Sequence, residues 1–321
     1  MPSYGRRVSD VSDVSFAAAA GRRLPETDDV ARAAERIAPY ARRTPLFPVE
    51  LDGRPLVLKL EHLQLSGSFK LRGALNALVA DASATAVVTA SGGNHGLGVA
   101  VAARLLGRAA TIFVPESAPS SKTTRIAATG ARLVRAGATY ADAVEAALEC
   151  VADGGGRYVP AYDDPLVVAG QGTVAAEIVA DAPGVDAIVV AAGGGGLAAG
   201  TALGGGGRGV VAVEPEHCSS LHDALAAGHP VDSPTDSVAA SALGATRVGE
   251  IPFAVLAARA PESVLVTDGE ILAARDRLWE EFRLAVEPAA AAGLAAWTAG
   301  RVDAVLACVV LCGANTEWLP Q

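Results

Sequence analysis

Lys70 is the residue whose surroundings most suggest chemistry. It stands in Ser66-Gly67-Ser68-Phe69-Lys70-Leu71-Arg72-Gly73, after the apolar run at 56–60 and at the start of a helical run that continues through Asn76. A positive charge on the first turn of a helix meets the like-signed end of the dipole, worth roughly 0.3–1 kcal/mol against it. The amine is therefore biased toward its neutral form, which condenses with an aldehyde to a Schiff base. Three further segments fit the same chemistry. Thr89-Ala90-Ser91-Gly92-Gly93-Asn94-His95-Gly96 joins an apolar strand to an apolar helix, and its small residues expose amides that suit an anionic group such as a carboxylate. Gly193, Gly194, Gly195, Gly196 and Leu197 lie between another strand and a helix start, leaving consecutive amides bare as a cradle for phosphate. No Gly-Lys-Ser or Gly-Lys-Thr follows, so this is not a nucleoside-triphosphate loop. A second glycine run, 204–207, sits after a helix and before a strand, the wrong end for an anion, and reads as a flexible connection. Cys312 closes the set, in Leu311-Cys312-Gly313-Ala314-Asn315 beyond the last strand, where ligands of open α/β sheets collect.

The elements that must position these residues alternate along the chain. Strands are expected at 56–60, 85–90, 110–115, 132–135, 186–192, 210–214, 263–266 and 304–311. Several are unbroken Ala/Val/Ile/Leu runs, as in strands covered on both faces. Helices are expected from Thr27, from Leu97 and at 140–152, 172–180 and 268–283, the last behind the capping box Thr267-Asp268-Gly269-Glu270. This order indicates an α/β chain with open, mostly parallel sheets.

The totals exclude other classes. The 321 residues suffice for two domains. A net charge of -9 without a basic run argues against nucleic acid. No apolar run approaches the roughly 20 residues of a membrane span, and the block at 16–20 is too short for a signal peptide. Cys150, Cys218, Cys308 and Cys312 form no CxxC or paired framework, so neither disulfides nor zinc are expected. The expectation is a soluble cytoplasmic protein with a loose extension at 1–25.

Taken with Glu214-Pro215-Glu216 and Val286-Glu287-Pro288, these segments resemble the serine/threonine dehydratases, pyridoxal-phosphate enzymes of the tryptophan-synthase β-like fold type II, over roughly residues 26–318. The resemblance implies two open, mostly parallel sheets flanked by helices. A large domain (26–83 and 164–321) and a small one (84–163) would hold pyridoxal 5'-phosphate between them. It implies that Lys70 carries the cofactor and is the catalytic base, and that Asn94 contacts the ring hydroxyl. Gly193, Gly194, Gly195, Gly196 and Leu197 would hold the phosphate, and Cys312 would face the pyridine nitrogen. Substrate contacts fall to Ser91, Gly92, Asn94 and His95. Residues 162–165 and 170–173 look like the segment crossing between domains, and a homodimer is implied. The implied reaction is β-elimination from L-threonine, L-serine or a related 3-hydroxy amino acid, yielding a 2-oxo acid and ammonia.

Departures from the pattern narrow this further. Family racemases carry a serine just before the Gly-Asn-His triplet, and here Gly92 stands there. The racemase branch also places carboxylates after the Glu-Pro pair, whereas Ser219, Ser220 and Leu221 offer none beside Glu214, so no metal is expected. His222 and Asp223 read as helix surface. With Gln321 as the last residue, the regulatory domain of biosynthetic deaminases is not expected. Competing readings are β-replacement or racemisation on the same scaffold, and a catalytically silent ligand-binding homologue. A nicotinamide dehydrogenase would need GxGxxG after the first strand, which is absent.

Overall fold

A computed structural model describes residues 23–118, 120–316 and 318. Most of the expected loose extension lies outside the described residues. Arg23, inside that span, is tied by ion pairs to Glu26 and Asp29.

Among the described residues, ten strands form two sheets. The larger has the order β1-β2-β10-β7-β8-β9 and the smaller β5-β4-β3-β6. They are β1 (Leu46–Leu51), β2 (Arg54–Lys59), β3 (Ala86–Ala90), β4 (Ala109–Val114), β5 (Arg132–Arg135), β6 (Arg157–Tyr158), β7 (Ala187–Ala191), β8 (Gly209–Pro215), β9 (Glu262–Val266) and β10 (Ala307–Val310). Every pairing is parallel except β1 with β2. The eight expected strands are all present within a few residues. β1 and β6 were not among them. β1 is an antiparallel edge strand containing Pro48, joined to β2 by Asp52 and Gly53, both at positive φ, a tight hairpin connection. β6 is only two residues long.

The central strands are buried on both faces, as their unbroken apolar runs require. The helix Pro288–Thr298 lies against β7, β8, β9 and β10, with residues 289–297 all buried. Its alanines let the backbone approach the sheet closely. The expected helix at 172–180 begins seven residues earlier, at Pro165, capped by the Asp164 side chain. Gly170 and Gly172 do not break it, so 170–173 is helix interior. A Cβ on Gly170 would lie 2.7 Å from the Arg72 carbonyl oxygen, and one on Gly172 2.7 Å from the Gly200 carbonyl oxygen. These glycines permit close helix packing.

A buried charge cluster ties the helix Lys70–Ala80 to Pro165–Asp181. Arg72 donates to Glu61 (2.8 Å) and to Glu177 (2.7 Å), while Lys59 donates to Glu177 (2.5 Å) and to the Thr44 carbonyl (2.8 Å). Leu71, Leu75 and Leu78 of the first helix pack with Val87 and Ile112 of the smaller sheet. The element bearing Lys70 is thereby held from both sides.

Candidate active site

Lys70 is the first residue of its helix. The start of that helix is stitched to the loop after β10. Ser68 pairs with Gly313 through an isolated bridge, and the Phe69 N–H donates to the Cys312 carbonyl (3.0 Å). A Cβ on Gly98 would come within 3.2 Å of the Lys70 Cβ, so the glycine lets the helix Asn94–Leu105 pack directly on the lysine. The Lys70 Nζ donates to the Ala161 carbonyl at 2.8 Å. Burial draws the amine down to about 8. Burial, rather than the helix dipole, is therefore the main cause. Lys59 makes the contrast: fully buried, it is paired with a carboxylate, whereas the half-buried Lys70 leans on a neutral carbonyl.

Asn94 opens its helix behind Gly93. Its Nδ2 donates to Glu287 Oε1 (2.6 Å), and its Oδ1 accepts from Asn315 Nδ2 (2.7 Å), which also donates to the Ser66 carbonyl (2.9 Å). Glu287 is buried, and a Cβ on Gly313 would overlap its carboxylate. Sequence reasoning picked both segments but missed Glu287 and Asn315 as the partners that fix the Asn94 amide. Ser91 Oγ accepts the Gly93 N–H (3.2 Å). Among the described residues, a Cβ at Gly92 would meet only Val114 and Ala118, at ordinary distances of 3.6 and 3.8 Å.

His95 sits differently from the expected substrate contact. Its Nε2 lies 2.9 Å from the Val159 carbonyl and 3.0 Å from Thr89 Oγ, so that nitrogen is spoken for by β3 and the chain after β6. Burial, and then the charge of Lys70, draw the ring down to about 3, and it stays neutral.

The four-glycine loop leaves the carboxyl end of β7 and enters the helix Gly196–Gly204, with Gly195 at φ 85 as its cap. The first N–H groups of a helix have no acceptor within it, and here they belong to residues of this loop. The glycines also answer to packing. A Cβ on Gly194 would overlap the Tyr162 ring, one on Gly193 would press the Leu243 backbone (2.9 Å), and one on Gly195 would press Pro252 (2.8 Å). Tyr162, one residue after the Ala161 that holds Lys70, is thus a site neighbour, which the sequence marked only as part of the crossing segment 162–165. Burial pushes the Cys312 thiol well up, helped by Glu287, and it stays protonated.

These groups suit a phosphorylated aldehyde. The glycine loop offers bare amides to the phosphate, Lys70 a partly neutral amine to the aldehyde, and Cys312 an uncharged donor. Glu214 accepts the Leu221 and His222 N–H groups that start the helix Ser220–Ala227. Asp223, expected at the surface, is half-buried and accepts from Ser219 and Ser233.

Residues 37–313 match the family described as pyridoxal-phosphate dependent enzyme. An L-threonine ammonia-lyase of Geobacter sulfurreducens is 37% identical over 284 residues, 85% of this chain and 71% of that protein. A serine racemase of Arabidopsis thaliana is 32% identical over 83% of this chain and 84% of its own. Among solved structures, a threonine deaminase from T.th. superposes with a TM-score of 0.87 at 35% identity, covering 92% of this chain and 100% of that one.

Proposed function

Because the chain belongs to the pyridoxal-phosphate-dependent enzyme family, with pyridoxal 5'-phosphate as its cofactor, we propose that it dehydrates L-threonine, L-serine or a related 3-hydroxy amino acid to a 2-oxo acid and ammonia. The observation that carries this reading is the Lys70 amine, enclosed, drawn down to about 8 and held on a carbonyl without a carboxylate partner. When bound, the cofactor supplies the electron sink that makes a Cα proton removable. Lys70 is the group placed to take that proton, since an amine of this basicity is substantially neutral near neutral pH. Asn94, held by Glu287 and Asn315, would contact the cofactor's ring hydroxyl. The loop of Gly193, Gly194, Gly195, Gly196 and Leu197 binds the phosphate. Cys312, a protonated thiol, donates to the ring nitrogen without adding charge. A neutral partner there would leave the bound cofactor a weaker electron sink than a carboxylate would. Ser91 and the amides beside Asn94 take the substrate carboxylate.

Gly92 supports elimination over racemisation, because it supplies no proton donor on the face opposite Lys70. The grouping of 84–163 as a separate small domain belongs to the same proposal, supported by its holding every strand of the smaller sheet. So do a homodimer and a cytoplasmic location, the latter supported by four cysteines that form no disulfide. No helix among the described residues is long and apolar enough to cross a membrane.

The test is to incubate the purified protein with L-threonine and with L-serine and follow keto-acid, ammonia and D-amino acid together. Keto-acid and ammonia should appear in equal amounts, and Lys70→Ala should abolish both along with the absorbance of bound cofactor. Formation of D-serine faster than pyruvate would replace the dehydratase reading with a racemase.

A further inference from the structure

We infer that His95, together with Thr89, is a positioning residue: the two clamp the Val159 carbonyl and so hold the Ala161 carbonyl against the Lys70 amine. The inference rests on the reading of Lys70 given above. A carbonyl oxygen can only accept, so the 2.9 Å approach of His95 Nε2 to Val159 means that this nitrogen carries the hydrogen. The Thr89 hydroxyl donates to the same oxygen at 2.7 Å, and the Val159 N–H donates to the Val88 carbonyl at 3.0 Å. Val159 is therefore fixed on both its peptide groups, inside a pocket where Thr89, His95 and Val159 are all buried. Pro160 follows, its ring restricting φ, so the direction set at Val159 is passed on with little slack. Ala161, the residue after Pro160, accepts the Lys70 amine on its carbonyl at 2.8 Å. The side chain after it, Tyr162, packs on Gly194 and Gly196 of the phosphate loop. A short strap thus carries the clamp to both ends of the cofactor site.

Histidine suits this place because it is a neutral donor here. Its ring is drawn down to about 3, so no working pH puts a second positive charge beside Lys70. If the clamp is lost, the strap loosens, water reaches the amine, and the charged form regains its hydration. The neutral fraction of Lys70 should then fall at a given pH.

The experiment measures how fast protein freed of cofactor by dialysis captures added pyridoxal phosphate as a function of pH, followed by absorbance, since capture requires the neutral amine. Native protein should reach half its maximal rate near pH 8. His95→Leu, which has no donor, should move that midpoint up by about one unit, slowing capture at neutral pH on the order of tenfold. His95→Gln keeps a side-chain N–H and should follow the native profile. Thr89→Val, nearly isosteric, should shift the midpoint in the same direction as His95→Leu. A lowered melting temperature with an unmoved midpoint in either donor-deleted variant would reduce the clamp to a packing role and overturn the inference. A His95→Gln profile as shifted as that of His95→Leu would do the same. Failure of the native protein to capture the cofactor at all would overturn the proposed function, and the clamp with it.

Discussion

Replacing Gly194 with alanine tests how the phosphate loop is built. A Cβ there would lie 2.5 Å from the Tyr162 Cγ, against the 3.4–4 Å of ordinary contact, so ring and loop must separate by about 1 Å. Tyr162 has little freedom to retreat. Gly249 lies on its other edge, its hydroxyl reaches the Arg247 carbonyl at 3.4 Å, and its carbonyl accepts the Asp164 N–H. Overpacking of this kind costs about 1–3 kcal/mol. If the loop gives way, that cost appears as a rise of roughly 5- to 150-fold in the Kd for pyridoxal phosphate. Equilibrium dialysis of the purified protein measures it. Gly207→Ala is the control: its φ of 83 strains any side chain, but nothing lies within 4 Å of the new Cβ. It should cost about 1–2 kcal/mol of stability and leave the Kd alone. The double variant Gly194→Ala with Tyr162→Ala removes the obstacle and should bind cofactor better than the two single effects combined would give. The reasoning fails if Gly194→Ala binds as well as Gly207→Ala, or if the double variant is merely additive.

Three other outcomes follow from the geometry. Gly92→Ser fits without a clash and should fold normally while adding some D-serine to the products from L-serine, read by chiral chromatography; no D-serine from a stable variant counts against Gly92 as the reason for elimination. Glu177→Gln leaves the buried Lys59 and Arg72 charges with Glu61 alone and should cost about 3–5 kcal/mol in denaturant unfolding; a loss under about 1 kcal/mol would mean that the cluster relaxes. Burial raises the Glu214 carboxyl to about 8, so the folded state holds a proton that the unfolded chain releases near the ordinary carboxyl range. Stability should be greatest below that range and fall as the pH rises through about 8; Glu214→Gln should flatten this fall in melting curves taken across the window.

What the chain dictates locally was legible in its residues. Continuous Val/Ile/Ala runs can be covered only on both faces, so β3, β4, β7, β8 and β10 follow from composition and length. Thr267 and Glu270 satisfy each other's backbone donors three residues apart, so that helix start is a short-range matter. Lys70 at a helix start and the glycines after β7 are visible because strand, loop and helix follow one another in sequence. Other features depend on positions far apart. The amide of Asn94 is set by Glu287 and Asn315, 193 and 221 residues away. The helix expected from 172 starts at Pro165, and Gly170 and Gly172 within it face the backbones of Arg72 and Gly200, far off in sequence. His95 lies where a substrate contact was expected, yet its ring nitrogen is claimed by a carbonyl 64 residues on. The basicity of Lys70 belongs to the same class. The helix start was legible locally, but the lowering comes from burial, and desolvation arises only when distant segments close around the amine.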